Sequence, residues 1–427
     1  MEQHVAASKS VLLDAVSFKG SNTAPYVLGR AQISVHTSGA TSYGAGASGS
    51  RVARFEIAAQ AGSMIDLQSL VLTGTVHNRA VAASPPSEAN QIRILAPSLT
   101  GLMESARILI GGVEVSSMDY VARTEHILGQ LEPTSVRKAD YAAGFGLVPA
   151  SKEDVEANYR TNPIPAGASR DVACTFRSLG ILQSTSYLPL SMCPGGTMVL
   201  EVTWASNQRD CCNTASGFGT DWNVSNLVVH IDSLSMDASF LSSLSAHILA
   251  GHALQMQFPS LHTTYNSILS GDSQITLSRA ASRLNKVLLT FGADDDPDGY
   301  HKAQNTLYLP PTQDLKARLV IGEKRYPATE DMTGLSLFYH RMRKMAEGTM
   351  VTREQFANNS FVAGFNLEAA EQVQHSGVST NNAPLNIFLA GLYGAGETEA
   401  LKAKSMFTTT ISDELLELTN RGIVVGN

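Results

Sequence analysis

The stretch Ala106-Arg107-Ile108-Leu109-Ile110-Gly111-Gly112 returns, with small changes, as Ala317-Arg318-Leu319-Val320-Ile321-Gly322-Glu323. The offset from 106 to 317 is 211 positions, about half of the 427-residue chain. Each copy is a short apolar strand that stops at glycine. Each is followed by a short return, Val113–Ser116 and Lys324–Tyr326, and then by helical spacing. That spacing is carried by Met118, Val121, Ala122, His126, Ile127, Leu128 and Leu131 in the first copy, and by Leu335, Phe338, Met342 and Met345 in the second. A strand–turn–strand–helix order repeated over so long a period predicts two related domains rather than a solenoid. Ile108, Ile110, Leu319 and Ile321 are predicted core positions, with Gly111 and Gly322 as turns.

Outward from these copies the chain is strand-rich. Val52, Phe55 and Ile57 lead to Met64–Leu67 and Leu70–Val76, and Ile92–Leu95 suggests a further strand. A second burst runs from Asp171 to Ser206. It includes Phe176–Leu182 and the clean alternation of Met198, Leu200, Val202 and Trp204, the mark of a strand with one buried face. Leu227–Asp232 follows, and the Ser-rich stretch Ser233–Ser245 reads as the inter-domain crossing. The programme then restarts. Leu254, Met256 and Phe258 alternate, Ile275–Phe291 supplies two strands, and Phe361–Leu367, Leu385–Ala390, Met406–Ile411 and Leu415–Val425 close the chain. Two runs of roughly 190 residues, each with about eight strand candidates, fit two antiparallel sandwiches. The predicted class is all-β: two consecutive eight-stranded jelly rolls, each with a short helix in a loop. The predicted division is an N-terminal arm and linker over 1–50, a first roll over 51–240 and a second over 241–427. Within the arm, Val5, Leu12, Ala15 and Val16 could line one face of a short helix; a frayed terminus is the alternative.

Composition narrows the function. Hydrophobic residues make up 43% of the chain and charged residues only 16%, against roughly 25% in ordinary soluble domains. Either the surface is small or other copies cover much of it. A net charge of −7 without any Lys/Arg run argues against direct gripping of nucleic-acid phosphates. Met1–Lys9 does not read as a signal peptide. Four cysteines without CxxC spacing read as structural thiols, Cys211-Cys212 included.

The sharpest chemical pattern is Asp294, Asp296, Asp298 and Gly299, the first half of a calcium loop. The glutamate that the pattern wants is Asn305, and the residues ahead read as strand rather than helix. A solvated acidic loop tip is the plainer reading, with weak calcium binding at a subunit contact as the sharper one. Hydrolase, zinc-protease and P-loop signatures are missing. Gly391–Gly396 reads as a tight β-connection, and Glu125-His126 as helix residues with structural roles. No catalytic residue and no cofactor is expected.

The strands Arg54-Phe55-Glu56-Ile57, Met64-Ile65-Asp66-Leu67 and Leu70-Val71-Leu72 resemble the opening strands of double jelly-roll major capsid proteins. That is the lineage of adenovirus hexons, virophages and related tailless icosahedral viruses. Ala106–Glu114 with its following helix is similar to the strand pair and helix of each roll. Phe361–Leu367, Ser376–Val378, Leu385–Ile387 and Gly422–Val425 resemble the closing strands. The likeness spans most of 51–427 as a pattern, and the chain is much shorter than a hexon, so long outward loops are not expected. The resemblance implies a non-enzymatic subunit of the virion, made inside the host cell. It implies homotrimers that form pseudo-hexameric capsomers, tiling an icosahedral shell. The implied partners are neighbouring capsomers and penton or minor capsid proteins, with an internal membrane as a further candidate and no sequence-specific nucleic-acid binding. In this setting the arm over 1–30 would tie capsomers together on the inner face. Two rival readings stand beside it. A two-sandwich carbohydrate-binding or adhesion protein would use Trp222 as its one candidate sugar platform. A β-rich hydrolase or lyase would need an acid–base set that the sequence does not assemble.

Overall fold

A computed structural model describes residues 26–44, 50–81, 90–94, 96, 98–146, 162–212, 218–268, 271–292, 315–346, 352–353, 356–357, 361–368, 377–381, 383–392, 405–420 and 422–426. The first half carries eight main strands: β1 (Val27–His36), β2 (Val52–Ala58), β3 (Ser63–Asn78), β4 (Met103–Ile110), β5 (Val113–Met118), β6 (Ser169–Cys174), β7 (Thr197–Trp204) and β8 (Trp222–Met236). They pair antiparallel in two sheets, β1-β8-β3-β6 and β2-β7-β4-β5. Each sheet thus draws strands from both ends of the segment, the interleaving that defines a jelly roll.

The second half repeats this order. Its strands are β9 (Leu254–Ser267), β10 (Ser273–Leu277), β11 (Leu284–Gly292), β12 (Lys316–Ile321), β13 (Lys324–Tyr326), β14 (Ala363–Asn366), β15 (Leu385–Ala390) and β16 (Ser405–Thr419), with β17 (Gly422–Gly426) added beside β16. The sheets are β9-β16-β11-β14 and β10-β15-β12-β13, position for position those of the first roll. A helix follows the fifth strand of each roll: α1 (Val121–Leu131), continued by α2 (Thr134–Ala143), and then, past the linking α3 (Ala238–Leu249), α4 (Leu335–Met345).

Local chemistry explains the elements. In β2 every second residue is buried, placing Ala53, Phe55 and Ile57 inside against Ile108, Ile110, Leu200 and Val202. The second roll packs Leu319, Ile321, Ile387, Leu289 and Phe291 in the same way. The two copies of the opening heptad occupy equivalent hairpins, β4–β5 and β12–β13. Gly111 and Gly112 both have positive φ, 59° and 82°, as a two-residue type I′ turn requires. In the second hairpin only Gly322 does, at 59°, so a glutamate fits at 323.

Four expectations are corrected. Residues 27–36 are not arm but the first strand, and Ser42–Tyr43 pairs with β8, Tyr43 being buried. The strand escapes sequence reading because it lies at a sheet edge and is mostly exposed, with Ile33 and Val35 turned to the main core and Val27 to a small cluster of Met64, Leu234 and Met236. Phe176–Leu182 is not a strand; its apolar side chains are buried by a 3-10 turn over Gly180–Gln183. Around Ile92–Leu95, Gln91–Ile92 forms a two-residue parallel pairing with Phe218–Gly219 and Ile94 only an isolated bridge to Cys212, while Leu95 lies outside the described residues. The Ser-rich crossing is partly strand, to Met236, and then α3, where Asp237 accepts a hydrogen bond from Ser239 N at 2.8 Å. The division at 240–241 therefore falls inside α3.

Candidate functional site

Among the described residues, buried polar side chains concentrate where the rolls meet. Arg123, Thr124 and Glu125 are consecutive on α1, and all three are buried. A helix normally turns such a run to solvent. Here α1 is wedged between the rolls, with Val121 in the first core and Ile127 in the second. By contrast, α4 at the equivalent place buries Phe338 and Met342 in its own roll. The Arg123 guanidinium lies 3.7 Å from the centroid of the Phe407 ring. It donates to Thr290 Oγ1 at 3.3 and 3.2 Å and to the Phe291 carbonyl at 3.3 Å. Thr124 Oγ1 meets Thr263 Oγ1 at 2.8 Å, which meets Thr409 Oγ1 at 2.8 Å. These hydroxyls bind β9 and β16 of the second roll to a helix of the first. Just beyond, Gly180 touches the second roll so closely that an added Cβ would stand 1.4 Å from the Pro259 carbonyl oxygen. The junction is hydrogen-bonded and, at Gly180, intolerant of added volume, which fixes one orientation of roll on roll.

Glu125 anchors the other end of α1. Its Oε1 accepts from the backbone N–H groups of Arg177 and Ser178, both at 2.7 Å. The Arg177 guanidinium faces Glu125, Glu132 and Asp140 together. Burial pushes the Glu125 carboxyl above its ordinary range, against the opposing pull of those hydrogen bonds and of Arg177. A carboxyl with a raised folded-state pKa contributes stability that is fully present below its unfolded pKa and is lost as pH rises through its folded value. Glu125→Gln keeps the acceptor oxygen and removes the buried charge. It is therefore expected to flatten the fall of melting temperature as pH rises above the ordinary carboxyl range, with the largest gain at the alkaline end. A variant whose melting curve tracks the wild type across that rise would disprove the assignment.

Elsewhere, among the described residues, the polar groups do not assemble a reaction centre. Ser34 Oγ meets His230 Nδ1 at 2.9 Å on the outer face of β1 and β8, but His230 Nε2 is taken by the Thr73 hydroxyl at 3.2 Å. No carboxylate orients the ring, so a nucleophile–base–acid relay is incomplete. Cys174, Cys193, Cys211 and Cys212 are buried free thiols; burial raises Cys174 and pushes Cys193 up to about 12. No group of three or more metal-ligating side chains occurs among the described residues. Asp294, Asp296 and Asp298 lie outside those residues, as do most of Gly391–Gly396 and the first 25 positions of the expected arm. Trp222 is placed and is no platform. It is fully buried, and its indole N–H donates to the Gln208 carbonyl at 3.1 Å.

Sequence reasoning found the apolar positions of α1 but missed Arg123 and Thr124. One signal was available: they are flanked by Val121-Ala122 on one side and Ile127-Leu128 on the other, leaving the helix no wide polar face.

No protein-family model and no curated protein matches the sequence. Solved structures match it over almost its whole length. The PBCV-1 VP54 structure, fitted into a reconstruction of the virophage Sputnik, superposes with a TM-score of 0.63 at 12% identity, covering 93% of this chain and 97% of that one. A cryo-EM structure of the Sputnik virophage gives 0.59 at 9% identity, covering 94% and 89%. The Faustovirus major capsid protein gives 0.57 at 9% identity, covering 96% and 94%. At these identities the likeness is one of fold: this chain is a double jelly roll.

Proposed function

We propose that this protein is a major capsid protein, the structural subunit of an icosahedral virion shell, and not an enzyme. The observation that carries the reading is the pair of topologically equivalent rolls locked side by side across the α1 junction. Three such chains closed around a three-fold axis present six similar rolls, a pseudo-hexameric block that can tile a lattice. The superposing structures support it: one is the Faustovirus major capsid protein and another is the Sputnik virophage. A charged fraction of 16% suits a subunit whose flanks are covered by neighbours. The proposed partners are two further copies in the capsomer, adjacent capsomers, and penton or minor capsid proteins. The division at 240–241 stays part of this proposal, with β1 moved from the arm into the first roll. The carbohydrate-binding alternative loses its one aromatic platform to the core.

Size-exclusion chromatography with light scattering tests the reading, followed by negative-stain imaging. A particle of three times the 45.5 kDa chain mass, with a six-sided outline, is the expected result. A stable monomer at micromolar concentration would sink it.

A further inference from the structure

The duplication provides an internal control for one patch of surface. In the first roll Arg107 points out from β4 and is neutralised within the chain. Its Nε and Nη2 donate to Glu201 Oε1 at 2.9 and 2.6 Å, and Glu114 lies 3.7 Å away. Arg318 holds the same place on β12. Across the sheet, where Arg107 is paired with Glu201, Arg318 is paired with Phe388. In the returning strand, the position of Glu114 in β5 is taken by Arg325 in β13. One carboxylate has become a ring and the other a second cation.

The consequences are visible in the geometry. The Arg318 guanidinium lies over the Phe388 ring, 4.5 Å from its centroid. Among the described residues its one ion pair is with Asp331 at 3.7 Å, and Asp331 is held more tightly by Arg325 at 2.5 Å. Arg318 Nε is buried without a hydrogen-bond partner, the kind of unmet donor that folded proteins usually satisfy. Beside it opens a cleft of about 350 Å³, lined by Lys316, Arg318, Asp331, Phe388, Asp272 and Gln274. Lys316 is exposed at its rim and has no ion-pair partner among the described residues. Asp272 is engaged locally, accepting from Gly391 N at 3.1 Å.

We propose that this cleft receives a carboxylate from outside the roll, seated on Arg318 and Lys316 over the Phe388 ring, in the role that Glu201 fills within the first roll. A guanidinium fork and a carboxylate match in shape as well as in charge. The carboxylate has two possible sources: an acidic side chain of a second copy of this chain, or a free small carboxylate. The inference rests on the internal comparison and does not depend on the capsid reading.

The probe is glutarate, with glutaramide as its uncharged control, titrated into the full chain while self-association is followed by light scattering. Glutarate is expected to bind saturably and glutaramide not to. Arg318→Gln is expected to weaken glutarate about tenfold. Phe388→Glu rebuilds the first-roll arrangement, so it should abolish glutarate binding while leaving the melting temperature unchanged; it also guards against loss of fold in Arg318→Gln. If Arg318→Gln also shifts self-association, a second copy supplies the carboxylate. If only glutarate binding responds, the ligand is a free one. If neither responds, the proposal is overturned.

Discussion

Replacing Gly180 by alanine is expected to split the thermal unfolding of this chain into two transitions. The new β-carbon would stand 1.4 Å from the Pro259 carbonyl oxygen and 2.6 Å from its carbon. Both sides of that contact are backbone. Gly180 opens a 3-10 turn closed by Leu182 N donating to the Leu179 carbonyl at 3.0 Å. Pro259 sits in β9, in register with Asp413 of β16. No side chain can swing away, so the turn and the strand must separate. Overpacking against yielding side chains costs about 1–3 kcal/mol, and a rigid backbone contact belongs at or above the top of that range. The strain falls between the rolls, since Gly180 belongs to the first and Pro259 to the second. Each core should survive, and the coupling that makes them melt together should not. Differential scanning calorimetry reads this directly. Gly29→Ala is the control, because nothing lies within 4 Å of a Cβ there. A Gly180→Ala protein that melts like the Gly29 variant would show that the junction is softer than its geometry.

What the chain revealed by sequence alone follows from which forces leave a periodic trace. The β4–β5 and β12–β13 hairpins were legible because burial on one face imposes a period of two and the turn demands glycine at 111 and 322. The jelly-roll count was legible for the same reason in β2, β7 and β9. β1 was not: an edge strand with one wet side carries Arg30, Gln32 and Ser34 where a buried strand would carry apolar residues. Its place is set by nine residues paired with β8, which no local pattern records. The junction was illegible for a related reason. Arg123 and Glu125 look like solvated helix positions, and only the arrival of the second roll, through Thr290 and Phe407, buries the arginine. Trp222 misled in the opposite sense. Its neighbours read as loop, yet a strand 15 residues long begins at that position and turns the indole inward. Contacts between residues far apart in sequence decide these cases, and such contacts are where reading a single sequence is weakest.

The same non-local character makes Arg123, a fully buried charge, sensitive to change. Arg123→Ala is expected to destabilise the chain by about 4 kcal/mol, combining loss of a large buried side chain with buried acceptors left unmet. Thr290 Oγ1 loses the donors that reach it at 3.3 and 3.2 Å, the Phe291 carbonyl loses one at 3.3 Å, and the Phe407 ring loses its cation. Arg123→Lys keeps the charge yet should recover less than half of the loss. An ammonium is a point donor that cannot lie flat on Phe407 while also reaching Thr290 and Phe291. A cycle with Thr290→Val isolates the contact between the rolls, with a coupling on the order of 1 kcal/mol expected from urea unfolding. The trimer proposed above gives a second readout. If the junction sets the angle between rolls, Arg123→Ala should lower the trimer fraction under conditions where each chain remains folded, because closing a ring depends on the relative placement of both rolls. A variant that loses stability but leaves the proposed trimer unaffected would confine Arg123 to packing. One that loses less than about 1 kcal/mol would show that the guanidinium does not hold the rolls together.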